Sequence, residues 1–371
     1  MINDVIIYIL VVFLCMGAID YCMDNRFGLG DKFKEGFMAM GTLTLAMVGI
    51  VSLAPLIASV LLPIVGPVYG WIGADPAAFA NTILALDMGG YALAQEMGQN
   101  QEAALFSWVF LGTMMGPTIV FTIPVALSLI RKEDHDVFAK GILVGMTTIP
   151  IGCFVGAVLA GLDITMVIRN LIPTVIFSAF ILLGLCKFPT QIMKGFHFFG
   201  KAIKVIATIG LSCIIIETLT GHVIIPGMTP VEEGFKIVGM IAMVLAGAFP
   251  LVAFVTKVFQ TPLSKAGALL RVDAHTTAGL IAALAHAIPM FAMLKNMDER
   301  GKIINVAFAV SGAFVFGGHL AFVAGINKEM VFAMIIGKLT SGVTAIILAI
   351  VVTSNIASGK ESSSRVKGFT V

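Results

Sequence analysis

Eleven apolar runs follow one another along the chain, at roughly 4–19, 37–62, 77–97, 103–130, 138–161, 164–186, 197–219, 235–259, 277–295, 301–324 and 330–353. About 20 apolar residues span a bilayer as a helix, so this succession predicts an all-α polytopic membrane protein. Only 12% of the 371 residues are charged, against about 25% in a soluble globule, and no polar interval is long enough to form a soluble domain. The Ser- and Lys-rich stretch 354–371 has the composition of a disordered cytoplasmic tail. No Lys or Arg precedes the first run, which therefore reads as a retained span and not as a cleaved signal.

The basic residues lie in the connections, and their distribution tests how many runs cross. If all eleven are transmembrane helices, each side of the membrane receives eleven Lys and Arg, without the usual cytoplasmic excess. If 77–97 and 277–295 enter and leave on one side, as re-entrant hairpins, the division becomes nineteen against three. The second count predicts nine full crossings and two hairpins, with the N-terminus outside and the C-terminus in the cytoplasm. The order of helix, hairpin and two helices then recurs upside down in the second half. Glu35-Gly36-Phe37 and Glu233-Gly234-Phe235 open the two units, and each is followed by an Ala-Met-Val, at 46–48 and 242–244. This predicts one transport domain, 1–353, built as an inverted repeat of 35–161 and 233–353 with linking helices at 164–219.

Within 77–97, Asp87 sits among apolar residues, where a carboxylate costs roughly 2.5–3.5 kcal/mol on insertion scales and marks either a site or a structural ion pair. Gly89 and Gly90 follow at once, as a broken helix needs, and Asn81, Gln95 and Glu96 add polar groups to the same stretch. Breaks are also expected at Gly116-Pro117, at Pro289 and at Gly317-Gly318. Hairpins from opposite faces would bring Asp87, Tyr91 and Glu96 toward His286, Met290 and Phe291, with Thr118 and His319 nearby. A carboxylate beside aromatic faces holds a small organic ammonium by charge and cation–π attraction, and the histidines offer a donor and an acceptor for a hydroxyl. Asn296, Asn305 and Lys338 are secondary buried-polar candidates. The five cysteines lack ligand spacing, and no Walker A loop, catalytic triad, HExxH or Rossmann glycine pattern is present, so no metal, cofactor, nucleic acid or ATP-driven chemistry is expected.

The segments EGFMAMG (35–41), LDMGG (86–90), GTMMGPTIVFTIPVAL (112–127), TIPIGC (148–153), IPMF (288–291), MDERGKIINVAFAVS (297–311) and GHL (318–320) resemble the integral-membrane ethanolamine permeases of bacterial ethanolamine-utilisation operons, over about 34–350. The resemblance implies uptake of ethanolamine as its ammonium across the cytoplasmic membrane. Two places depart from the family pattern: Ala285-His286-Ala287 stands for an Asn-rich turn, and Gly318 for an acid before His319. Asp87 and Glu96 are thereby left as the acidic candidates. A facilitator is the reading expected, because the membrane potential already drives a cation inward by about 2.3 kcal/mol per charge per 100 mV; a proton- or sodium-coupled carrier and a membrane subunit of an ion-translocating enzyme are the alternatives, and a homo-oligomeric state is open.

Overall fold

The computed structural model describes residues 1–269 and 272–366, with side chains described outside 259–271 and 355–371. Among the described residues there is no strand, and eight helices are long and apolar enough to cross a membrane. Large apolar side chains such as Trp71, Phe180 and Leu219 stand on the outer surface, as they do where the solvent is lipid. The chain is an all-α polytopic membrane protein.

Helix α1 covers Ile2–Cys22, and α2 (Gly30–Leu43) runs through a π turn at Thr44–Val48 into α3 (Gly49–Ile72). Next come two short helices, α4 (Ala77–Ile83) and α5 (Gly90–Met97), joined by extended backbone at Leu84 and Ala85 and a single 3-10 turn, Leu86–Met88. This pair closes on itself through Asp75. Its Oδ1 accepts from the Ala77 N–H at 2.8 Å, and its Oδ2 accepts from the N–H groups of Gln99 and Asn100 at 3.0 and 2.9 Å, so the start of α4 and the end of α5 are held together. Helices α6 (Gln101–Phe106), α7 (Gly112–Pro117) and α8 (Ile123–Leu129) join through π turns into one uninterrupted rod. Helices α9 (His135–Leu159), α10 (Ile164–Lys187), α11 (Pro189–Thr220) and α12 (Val231–Leu269) are long.

The second short pair is α13 (Ala274–Ala285) and α14 (Ala287–Met293), and it too is closed by one carboxylate. Asp273 Oδ1 accepts from the Thr276 N–H at 2.6 Å and Oδ2 from the Asp298 N–H at 3.2 Å. Partial burial works to raise this carboxyl, but the donated N–H groups outweigh it and hold it below its ordinary value. Helix α15 (Glu299–Ser311) is separated by a turn from α16 (Gly318–Ile326), and α17 starts at Val331. Backbone helix continues in α17 to Val366, across the first part of the stretch whose composition predicts disorder; a helix already nucleated extends with little further penalty. Residues 367–371 of that stretch lie outside the described residues.

Helix α9 shows how the two closed pairs are placed. The Asp163 N–H, just past its C-terminal end, donates to Glu102 Oε1 at 2.6 Å beside the first pair. Asp134, just before its N-terminal end, takes the Lys302 ammonium at 2.6 Å beside the second. With 25 residues, α9 is about 37 Å long, so the closed ends lie at opposite ends of a membrane-length helix and the two tips point toward each other.

One expected break is absent. The chain continues as helix through Gly116 and Pro117, with a π turn on either side. Gly116 serves a different purpose: a Cβ there would run into the Leu84 carbonyl, so glycine lets the rod pass directly over the tip of the first pair. Gly317 has the matching place in the second half, where a Cβ would meet the Ala285 carbonyl. Pro289 lies in the first turn of α14, and the break comes three residues earlier, at His286.

Candidate functional site

The tips of the two pairs and the α15–α16 turn surround a cavity of about 470 Å³. Asp87 enters it from the 3-10 turn. The left-handed Gly89 (φ 87°) then starts α5 with its Cα against the Ile50 side chain, where no Cβ fits. Asn81 secures this turn from below. Its Nδ2 donates to the Leu84 carbonyl at 3.3 Å, and its Oδ1 accepts from Ser107 Oγ at 2.9 Å, which satisfies a carbonyl that the extended backbone strands. A side chain added at Gly318 would approach within 3.9 Å of Asp87 Oδ2, so α16 passes close to the carboxylate. Among the described residues, Asp87 is in no ion pair.

The same cavity has an aromatic wall of Phe121, His286, Phe314 and His319. Phe314 adopts φ 63° in the α15–α16 turn, a rare conformation for a bulky residue, held by its N–H donating to the Ala283 carbonyl and by the Phe316 N–H donating to Leu284, both at 3.0 Å. Its ring centroid lies 4.8 Å from that of His286, 5.0 Å from His319 and 5.5 Å from Phe121. His286 caps α14, its Nδ1 accepting from the Ile288 N–H at 3.2 Å, which leaves Nε2 as the protonated nitrogen of the neutral ring. His319 is 3% exposed and its Nδ1 is buried without a partner. Glu35 and Thr42 of α2 line the exposed side of the cavity.

Of the residues singled out from sequence, Asp87, His286, His319, Pro117 and Gly318 thus share one cavity. Tyr91, Gln95 and Glu96 do not reach it; they line a second cavity of about 430 Å³ with Glu233, Lys236 and Thr229. Met290 and Phe291 are core residues, Phe291 packing on Phe138 with centroids 6.1 Å apart. Thr118 Oγ1 is occupied by the Met114 and Val310 carbonyls, both at 2.8 Å, and ties the rod to α15. Phe121, Phe314 and Glu35 escaped the sequence reading. The signals for them are Gly312 and Gly317 near Phe314, the position of Phe121 within 112–127 and the place of Glu35 at the head of 35–41. Lys338 is 1% exposed, and its ammonium donates to the Thr113 carbonyl at 2.6 Å.

Residues 2–352 match the model of the family described as Ethanolamine utilisation protein, EutH. The chain belongs to that family. It is 57% identical to the Listeria monocytogenes protein named "Probable ethanolamine permease EutH", over 94% of both chains. It is 44% identical to the Salmonella typhimurium protein of the same name, over 93% of this chain and 94% of that one. A Bacillus subtilis relative named "Uncharacterized protein YxeR" is 60% identical over 93% of both. No solved structure matches the chain. In this EutH member, Asp87 of LDMGG, Phe121 of the 112–127 segment and His319 of GHL come from three separate stretches and line one cavity.

Proposed function

We propose that this protein is a permease of the bacterial cytoplasmic membrane that takes up ethanolamine as its ammonium, by facilitated diffusion, and is not an enzyme. The observation that carries this reading is Asp87: an acid without an ion-pair partner among the described residues, in a mostly apolar cavity faced by Phe121, Phe314 and two imidazoles. The carboxylate takes the ammonium, the rings contribute cation–π attraction, and the imidazole nitrogens meet the hydroxyl, with His319 Nδ1 the unsatisfied member. At about 30 Å³ per water, the cavity accommodates a four-heavy-atom amine together with several waters. The names of the Listeria and Salmonella relatives support the same solute. The membrane potential already draws a cation inward with about 2.3 kcal/mol per charge per 100 mV, so uptake needs no second ion. In this reading the two closed pairs are re-entrant hairpins from opposite faces, the N-terminus is outside, and the halves form an inverted repeat.

The test is uptake of labelled ethanolamine into proteoliposomes, with a potassium-diffusion potential and no other gradient. Saturable uptake is expected, inhibited by small amines and indifferent to acetate. Uptake that appears only with a sodium or proton gradient would replace the facilitator by a coupled carrier, and equal competition by acetate would remove the amine site.

A further inference from the structure

The two cavities lie in tandem along the same four stretches of chain. The first is lined by residues 35–46, 85–88, 245–249 and 318–319, and the second by 51–54, 91–96, 229–240 and 325–326. Each stretch thus passes from one cavity to the other within a few residues, and what separates the cavities is about one helical turn thick. That layer is closely packed. Ile50, 1% exposed, covers the Cα of Gly89; Ile241 and Phe322 are fully buried; and the Tyr91 ring meets Phe322 and Trp108 edge-on at 5.5 and 5.2 Å.

We infer that the two cavities are the two ends of a single permeation path, that the layer of Ile50, Tyr91, Ile241 and Phe322 is its closed gate, and that the second cavity receives a small organic cation on the face opposite Glu35. The second cavity has the chemistry for that task. Glu96 and Glu233 provide negative charge, partly offset by Lys236, and Tyr91 forms the floor with a ring that serves a cation on one side and the gate on the other. The layer is made from both halves of the chain, Ile50 and Tyr91 from the first and Ile241 and Phe322 from the second. Separating α5 from α16 by the width of one ring therefore opens it without unfolding either helix. The gate rests on the permease reading only for the identity of the solute.

The experiment uses the full chain with Cys15, Cys22, Cys186 and Cys213 replaced by serine, in oriented membrane vesicles, and a membrane-impermeant trimethylammonium thiol reagent. Ile237→Cys reports the second cavity and Thr42→Cys the first. On the face from which Ile237→Cys reacts, the reagent is expected to leave Thr42→Cys unmodified while Phe322 is intact and to modify it in a Phe322→Ala background. Ile50→Ala is the second background, should Phe322→Ala not yield folded protein. Equal modification of Thr42→Cys from that face with the layer intact overturns the gate, as does its absence in every folded variant. Ethanolamine takes no part in this assay, so its failure leaves the amine reading standing, and failure of the uptake test leaves the gate standing.

Discussion

Lys338 donates its buried ammonium to the carbonyl of Thr113, at 2.6 Å, and Thr113 is the residue whose helical partner four positions on is Pro117. Proline has no N–H, so an α-helix through this point leaves that carbonyl without its donor. The lysine of α17 supplies one, and the helix continues. Buried polar groups need such partners, and stranding one costs about 1–3 kcal/mol.

Lys338→Met keeps the length of the side chain and removes the donor, so its melting temperature in detergent should fall. Pro117→Ala restores the missing N–H, and the double variant should be less destabilised than Lys338→Met alone. Strict additivity of the two changes in a thermal-melt cycle would show that the lysine and the proline are not coupled.

Asp87→Asn preserves shape and removes charge. Loss of a charge-assisted hydrogen bond in a partly dry site should weaken ethanolamine binding by about 1.5–3 kcal/mol, or roughly 10- to 150-fold, while the melt stays normal because a neutral amide is easier to bury. Affinity and melting temperature measured on the same protein decide between a binding carboxylate and a structural one. An unchanged affinity with an unchanged melt takes Asp87 out of the site.

Gly89→Ala should destabilise strongly. Its φ of 87° costs an L-residue about 1–2 kcal/mol, and the new methyl also displaces Ile50. Gly41→Ala, in open space within α2, is the control and should be neutral or slightly stabilising. Comparable melting temperatures for the two would mean that the break after Asp87 carries no constraint.

Cysteines at Gln99 and at Asp298 flank the two closed pairs at opposite ends of α9. They should react with an impermeant reagent from opposite faces of the membrane, with Gln99 on the outside. Reaction of both from one face would rule out two hairpins entering from opposite sides.

Much of this architecture is legible in the sequence because hydropathy and charge placement are physical requirements of the bilayer. The count of Lys and Arg favours both flanks of 77–97 on one side of the membrane, and in the structure Asp75, just before α4, accepts from Gln99 and Asn100, just after α5. The Gly116-Pro117 pair was not legible as a continuous helix, since its outcome depends on a donor more than 200 residues away on α17. Asp87, His286 and His319 could be grouped from sequence because each stands alone among apolar neighbours. Glu96 could not be excluded in the same way. Nine residues separate it from Asp87, about 13 Å along a helix, which is beyond the reach of one small ligand, but only the direction of α5 shows that the distance leads away from the cavity. Phe314 owes its place to a left-handed backbone that no hydropathy pattern announces.

The short arms of the closed pairs also dictate an order of biosynthesis. Helices α4, α5 and α14 have 7, 8 and 7 residues, or about 10–12 Å, against a hydrocarbon core of about 30 Å, so none can partition into lipid alone as it leaves the ribosome. The tip of the first pair has to wait for Gly116, which lets the rod close over Leu84, and the second for Phe314 and Phe316, which satisfy Ala283 and Leu284. A nascent chain halted before residue 312 therefore holds its second pair unseated, and the cavity is assembled only after most of the spanning helices are in place.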